Sequence, residues 1–181
     1  MENFHDLIVT RRSIRRYTDV PLSSDQVATI LQAGLLSPTS KSSRAWHFIA
    51  VDDKEMLKRL AGCKSAGAVS LPGCSLAVVV AVDSTLSEAW IEDASVAATL
   101  MQLQAEDLGI GSCWIQVRGR FTADGTPAEE VVQESLGIPE TITPVCIITF
   151  GCKGEDRKPQ NVDKLKWENV HIGKWRNDEA D

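Results

Sequence analysis

Two rhythms of apolar positions run along this chain, one helical and one of unbroken strand-like runs. Phe4, Leu7 and Ile8 in NFHDLIVTRR have helical spacing and predict a short helix ending near a group of arginines. In VPLSSDQVATILQAGLLSP, Val27, Ile30, Leu31 and Gly34 share one helical face. Ser23 followed by Gln26 is a capping-box pattern for its start, and Pro38 forbids continuation. WHFIAV reads as a strand, followed by a short helix from about Asp53 to Leu60. Residues 62–75, GCKSAGAVSLPGCS, are rich in small side chains and read as a loop or mobile segment. LAVVVAV, residues 76–82, is apolar throughout, the mark of a strand covered on both faces.

The longest helix is expected over 87–108. Ser87 would cap it, Glu88 and Glu92 suit its positive end, and Gly109 would close it. Its face of Ala94, Ala97, Ala98 and Met101 is small enough to pack closely on another helix or on a ligand. IGSCWIQV reads as a strand. TPAEEVVQESLG reads as a compact helix in which Thr126 caps, Pro127 starts, Glu129 completes the box and Gly137 stops. TPVCIITFG is a further buried strand. Beyond Gly151 the chain turns polar and irregular, yet it carries Trp167 and Trp175. A tail from about 152 to 181 with exposed tryptophans would be odd alone, so it is expected on a neighbouring surface such as a second subunit. Helices first, then strands mixed with helices, give an α+β class: one domain over 1–181, with a mixed sheet flanked by helices.

The length of 181 residues suits one sizeable core. A formal net charge of −6 argues against general nucleic-acid binding, which needs a basic face. No apolar run approaches the length that spans a bilayer, and MENFHDLIVTRRS has no signal-type apolar region. A cytoplasmic protein is expected. The five cysteines form no CxxC pair and the three histidines are scattered, so no zinc-type spacing occurs. The cysteines read as small apolar side chains, with a redox role left open.

Against that acidic background, TRRSIRRY gathers Arg11, Arg12, Arg15 and Arg16 around Ser13. Arginine pairs with a phosphate monoester through two parallel hydrogen bonds, and a serine hydroxyl adds a donor. If the segment is extended, Arg11, Ser13 and Arg15 project to one side and Arg12 and Arg16 elsewhere. The same run would also serve as a solvated charge cluster at a helix end. SPTSKSSRAWHF, residues 37–48, offers many polar groups and little apolar bulk, as suits either the edge of a heterocycle or a plain polar loop. In LGIGSCWIQV, Gly109 and Gly111 allow close backbone approach, to a flat ligand or simply within a tight turn. Trp114 suits the core or the neighbourhood of a ligand. Neither GxGxxG nor GxxxxGK[ST] occurs.

Taken in order, these segments resemble the nitroreductase family of FMN-dependent, NAD(P)H-oxidising flavoproteins. RRSIRRY resembles the family's R-R/H-S-x-R/K-x-[FY] segment, and SPTSKSSRAWHF its S/A-P-S-x-x-N-x-Q-P-W-x-F segment. EDASVAATLMQLQAEDLGIGSCWI resembles its long-helix motif, and GIPETITPVCIITFG the motif followed by a basic pair, here Arg157 and Lys158. The resemblance implies an α+β homodimer with a domain-swapped C-terminal tail and FMN in the subunit interface. It implies that Arg11, Arg12 and Ser13 hold the phosphate or ribityl chain, and that Arg157 and Lys158 complete the clamp. Arg15 would reach the N1–O2 edge of the ring and tune it. Pro38, Thr39, Ser40 and Ser42 would come from the other subunit. Ile115 and Gln116 would bring a backbone N–H near N5. Where the family carries Asn, Gln and Pro, this chain has Ser42, Arg44 and Ala45, so hydrogen bonding at the ring edge must change.

The implied activity is two-electron transfer from NAD(P)H to a nitroaromatic, quinone or similar acceptor by a ping-pong route, with the flavin and no side chain as the reacting group. The rival reading is a flavin carrier or sensor without NAD(P)H turnover.

Overall fold

The computed structural model describes residues 3–175. It is built on one four-stranded sheet of β1 (Trp46–Val51), β2 (Leu76–Asp83), β3 (Ile110–Gln116) and β4 (Ile142–Cys152), in spatial order β1-β2-β4-β3. The helices are α1 (Phe4–Thr10), α2 (Ser24–Leu35), α3 (Lys54–Ala61), α4 (Trp90–Asp107) and α5 (Ala128–Leu136). The α+β class holds. The sheet, expected to be mixed, is antiparallel at each of its three strand interfaces. The long connection through α4 does join strands of the same direction, β2 and β3, but β4 returns between them. An apolar run reports burial of both faces and says nothing of strand direction.

Side chains of β2 alternate between two cores. Val78, Val80 and Val82 face α2 and α4 with Ile30, Met101 and Phe150. Ala77 and Val79 face α3 and α5 with Leu57, Leu60, Val132 and Ile147. The small face of α4 is buried as expected, and it packs against protein. A Cβ on Gly34 of α2 would stand 3.1 Å from Met101 Sδ, which shows how near the two helices run.

Helix ends follow local chemistry where it is strong. Both halves of the Ser23–Gln26 capping box form, at 3.2 and 2.9 Å. Gly137 closes α5 with φ +66°. Two expected caps are replaced. Helix α4 starts at Trp90, and the Ser87 hydroxyl donates to the Asp93 carboxylate instead. Pro127 occupies the cap position of α5, while Glu129 accepts from the Gly119 N–H at 2.7 Å and closes a neighbouring turn. Residues 62–75 make turns, as their composition suggests, but Cys63, Ala68, Leu71 and Cys74 point into the second core. Small side chains read as loop material when they are sized for a tight interior. Burial pushes the Cys63, Cys113 and Cys74 thiols up, the last to about 12, so none is a ready thiolate at neutral pH.

The tail leaves the sheet at Cys152 and makes two short 3-10 turns, Val162–Lys164 and Trp167–Asn169. Leu165, Trp167 and Ile172 are exposed within the single chain. Residues 176–181 of the expected tail lie outside the described residues, as do residues 1 and 2. Among the described residues, no helix is long and apolar enough to cross a membrane.

Candidate functional site

The arginine segment leaves α1 extended, beginning at Arg11 (φ −56°, ψ 124°). Three anchors fix its course. The Ile14 N–H donates to Ser112 O at 2.9 Å, and Ser13 forms an isolated parallel bridge to Ser112. Gly111 makes this approach possible, because a Cβ there would lie 2.9 Å from Ile14 Cβ. Its expected role of close approach is met by a neighbouring chain segment.

Tyr17 is the second anchor. Its hydroxyl lies 2.8 Å from both the Ile14 carbonyl and Thr149 Oγ1, and burial pushes its pKa well above the usual phenol value, so it stays neutral. Its ring covers Gly151, where a Cβ would stand 2.8 Å from Tyr17 Cδ1. Beside it, the Gly154 N–H donates to Arg16 O and the Thr18 N–H to Cys152 O.

The third anchor, Glu155, has no signal in the sequence beyond being an acid near basic residues. Its Oε1 accepts from the Arg15 and Arg16 N–H groups at 2.7 and 3.3 Å. Its Oε2 pairs with Arg157 at 3.0 Å. The Arg15 N–H, and then the Arg157 charge, hold this carboxyl below the ordinary range. One carboxylate therefore ties the backbone of the N-terminal segment to a guanidinium of the C-terminal one.

Together these contacts enclose a cavity of about 210 Å³ lined by Arg11, Arg12, Ser13, Arg15, Arg157 and Gln160. Arg12 joins Arg11, Ser13 and Arg15 on its wall, whereas simple alternation had sent Arg12 elsewhere. The Arg12 guanidinium also donates to the Lys158 carbonyl. Lys158 gives its backbone to this corner and its side chain is not among the lining groups. Among the described residues, Arg157 is the one lining guanidinium with a carboxylate partner.

Further along β3, Ile115 is buried in the second core. Gln116 is held on both sides: Trp114 Nε1 donates to its Oε1 at 3.0 Å and its Nε2 donates to Arg118 O at 2.9 Å. Trp114 itself packs against the first core. Lys64, which sequence reasoning missed inside a stretch of small residues, donates from Nζ to Gln116 O at 2.9 Å. Partial burial lowers its pKa. Arg15 and Lys64 both act electrostatically on Cys113. β3 is an edge strand, and among the described residues its outer side carries one backbone bridge, from Ser13 to Ser112, and the Lys64 contact to Gln116 O.

Pro38, Thr39, Ser40 and Ser42 are not brought to the arginine cavity within one chain. Ser40 lies instead on a separate cavity of about 220 Å³ with Lys41 and residues Thr85 to Glu88. Lys41, Ser42 and Arg44 hold left-handed φ angles of 51°, 55° and 49°. At the ends of this loop, Ser37 Oγ and Trp46 Nε1 are buried with no hydrogen-bond partner among the described residues. Such orphans are uncommon in a finished interior.

The sequence model of the Nitroreductase family matches residues 8–89 and 77–152. A protein of Archaeoglobus fulgidus, provisionally named NADH dehydrogenase/NAD(P)H nitroreductase, is 36% identical over 97% of this chain and 100% of its own. NADPH-flavin oxidoreductase of Vibrio harveyi is 28% identical over 91% of this chain and 71% of its own. Among solved structures, an FMN-dependent nitroreductase from Clostridium difficile superposes with a TM-score of 0.91 at 42% identity, over 93% of this chain and 98% of that one. The arginine segment, the long α4 and the sheet ending at Cys152 all fall inside these matches, and the chain belongs to the nitroreductase family.

Proposed function

We infer that the chain binds FMN with its phosphate in the arginine cavity. It passes two electrons from NADH or NADPH to a nitroaromatic, a quinone or a similar acceptor, the two reactants taking turns over one ring. The observation that carries this reading is a cavity walled by four guanidiniums and a serine, with a carboxylate, among the described residues, on Arg157 alone. Gathered cations repel one another, and a doubly charged ester turns that repulsion into attraction. Guanidiniums also match phosphate oxygens bidentately. The donor set fits the group. The flavin and nicotinamide names of the relatives support the same reading.

FMN supplies the two-electron redox chemistry when bound, so the chain needs no acid–base residue of its own. Its side chains bind and orient. Arg11, Ser13 and Arg157 hold the phosphate. Arg12, tied to the Lys158 carbonyl, keeps the tail closed over it. Arg15 and Lys64 set positive charge along the outer edge of β3, where Gln116 offers its backbone N–H to the ring; Ile115, in register with Ile147, turns its backbone toward β4. Positive charge there favours negative charge on a reduced ring.

The functional unit is a homodimer in which Pro38, Thr39, Ser40 and Ser42 of one copy face the ring held by the other. Two observations support this. The 37–44 loop stands apart from the arginine cavity within one chain. Large apolar side chains are also left uncovered: Phe4 and Leu36 flank a groove of about 460 Å³ between α1, α2 and α4, and Leu165, Trp167 and Ile172 line the tail.

Mixing the FMN-loaded protein with NADH or NADPH without oxygen tests the reaction. The yellow band is expected to bleach, then to return when a nitroaromatic or quinone is added. A band that persists with both nucleotides would overturn the enzyme reading and favour a carrier or sensor.

A further inference from the structure

Asp93 is buried, with 5% of its surface exposed, and it faces a loop rather than a cation. It sits in the first turn of α4, where its own N–H donates to Ala89 O. Its Oδ1 accepts from the Ser40 N–H at 2.8 Å. Its Oδ2 accepts from the Ser87 hydroxyl at 2.9 Å and from the Ser43 hydroxyl at 3.4 Å. Among the described residues it forms no salt bridge. The positive end of α4 supports its charge from behind. A buried carboxylate satisfied by three donors from two separate loops is a clamp.

What it clamps is strained. Lys41, Ser42 and Arg44 occupy the left-handed region without being glycine. Such conformations persist only where the surroundings over-determine them. Within the loop, the Ser42 N–H donates to Thr39 O, the Ser43 N–H to Ser40 O and the Arg44 N–H to Thr39 Oγ1. These bonds all lie inside residues 39–44 and would travel with the loop if it moved. Asp93 bonds the loop to a helix, at Ser40 and Ser43, and joins it to Ser87 in the same step.

We propose that Asp93 is a positioning residue: its carboxylate holds the 39–44 loop in the left-handed shape that is presented to the flavin of the second copy. This rests on the FMN reading above. It assigns a role to a residue that touches neither phosphate nor ring. It also explains why Ser42 and Arg44 can stand in the loop despite their backbone angles: the shape is imposed from α4.

The test compares apo-protein binding of FMN, the absorption spectrum of the bound flavin and the thermal midpoint in the parent, Asp93→Ala and Asp93→Asn. An asparagine oxygen still accepts from the Ser40 N–H, and its amide donates to Ser87, so Asp93→Asn is expected to bind FMN within threefold of the parent. Asp93→Ala is expected to bind at least tenfold more weakly and to shift the bound-flavin spectrum. If Asp93→Ala does not fold, Ser40→Pro replaces it. That change removes the N–H that Oδ1 accepts together with the Ser40 hydroxyl, so Ser40→Ala, which removes the hydroxyl alone, is its reference; Thr39 already has the extended angles a residue before proline requires (φ −133°, ψ 155°). The same tenfold loss is expected. A lower thermal midpoint with unchanged FMN affinity and spectrum would mean that Asp93 merely supports the fold, and would overturn the proposal while leaving FMN binding intact. A parent that takes up no FMN would overturn both.

Discussion

Arg11→Ala is expected to weaken FMN binding by about 2 kcal/mol or more, since it removes a charge-assisted pair to the phosphate. That is a rise of roughly 30-fold in Kd, measured by flavin fluorescence on the apo-protein. The variant separates binding from folding cleanly. The backbone N–H of Arg11 closes α1 on Leu7 O, and alanine keeps that bond. Its guanidinium forms no salt bridge among the described residues, so truncation strands no buried acid. Removing one of several crowded cations also relieves repulsion in the empty cavity. The apo-protein should therefore unfold at the parent's temperature or slightly above it. An unchanged Kd would place the phosphate elsewhere.

Gly154→Val is expected to destabilise the protein by about 3 kcal/mol, because added bulk in a closed contact forces backbone shifts. A Cβ at position 154 would stand 2.8 Å from the Tyr17 carbonyl carbon, 3.0 Å from its oxygen and 3.1 Å from Arg16 O. These are backbone atoms, which cannot swing aside as a flexible side chain can. The Gly154 N–H to Arg16 O bond would break as the two segments part. For a chain of this length the loss corresponds to a fall of roughly 6–12 °C in Tm. FMN retention should fall with it, since the displaced segments carry Arg15 on one side and Glu155 and Arg157 on the other. Gly73→Ala is the control: no atom lies within 4 Å of a Cβ there, and Tm should hold or rise slightly. Equal midpoints for both variants would contradict the close contact on which the site's geometry depends.

What could be read from the sequence was local. The Ser23–Gln26 box and the Gly137 stop are decided by residues within one turn, and both form. The unbroken apolar run of 76–82 correctly announced burial on both faces. It left strand direction open, because direction depends on where β4 inserts. The Ser87 cap did not form for a tertiary reason: α4 starts later, at Trp90, and the Ser87 hydroxyl donates to the buried carboxylate of Asp93 in the first turn of that helix. The 62–75 stretch looked mobile because glycine, alanine and serine are common in loops, yet Cys63, Ala68 and Leu71 fill the second core.

The site divides in the same way. The arginines announced themselves by density against an acidic background, and Arg11, Arg12, Ser13, Arg15 and Arg157 do meet at one cavity. Glu155 and Lys64 did not announce themselves. Each is a single charged residue whose importance comes from partners far off in the chain, Arg15 and Arg16 for one and Gln116 for the other. Lys158 was named for its charge, and it contributes a carbonyl. The 38–42 loop was assigned to a second copy by resemblance, and its distance from the arginine cavity within one chain agrees with that proposal.

The most direct measurement compares the apo-protein's affinity for FMN with that for riboflavin, which has the same ring and ribityl chain and no phosphate. If cations from both ends of the chain close on the phosphate, two or more charge-assisted pairs should favour FMN by about 3 kcal/mol, a preference beyond 100-fold. Equal affinity for the two ligands would contradict it.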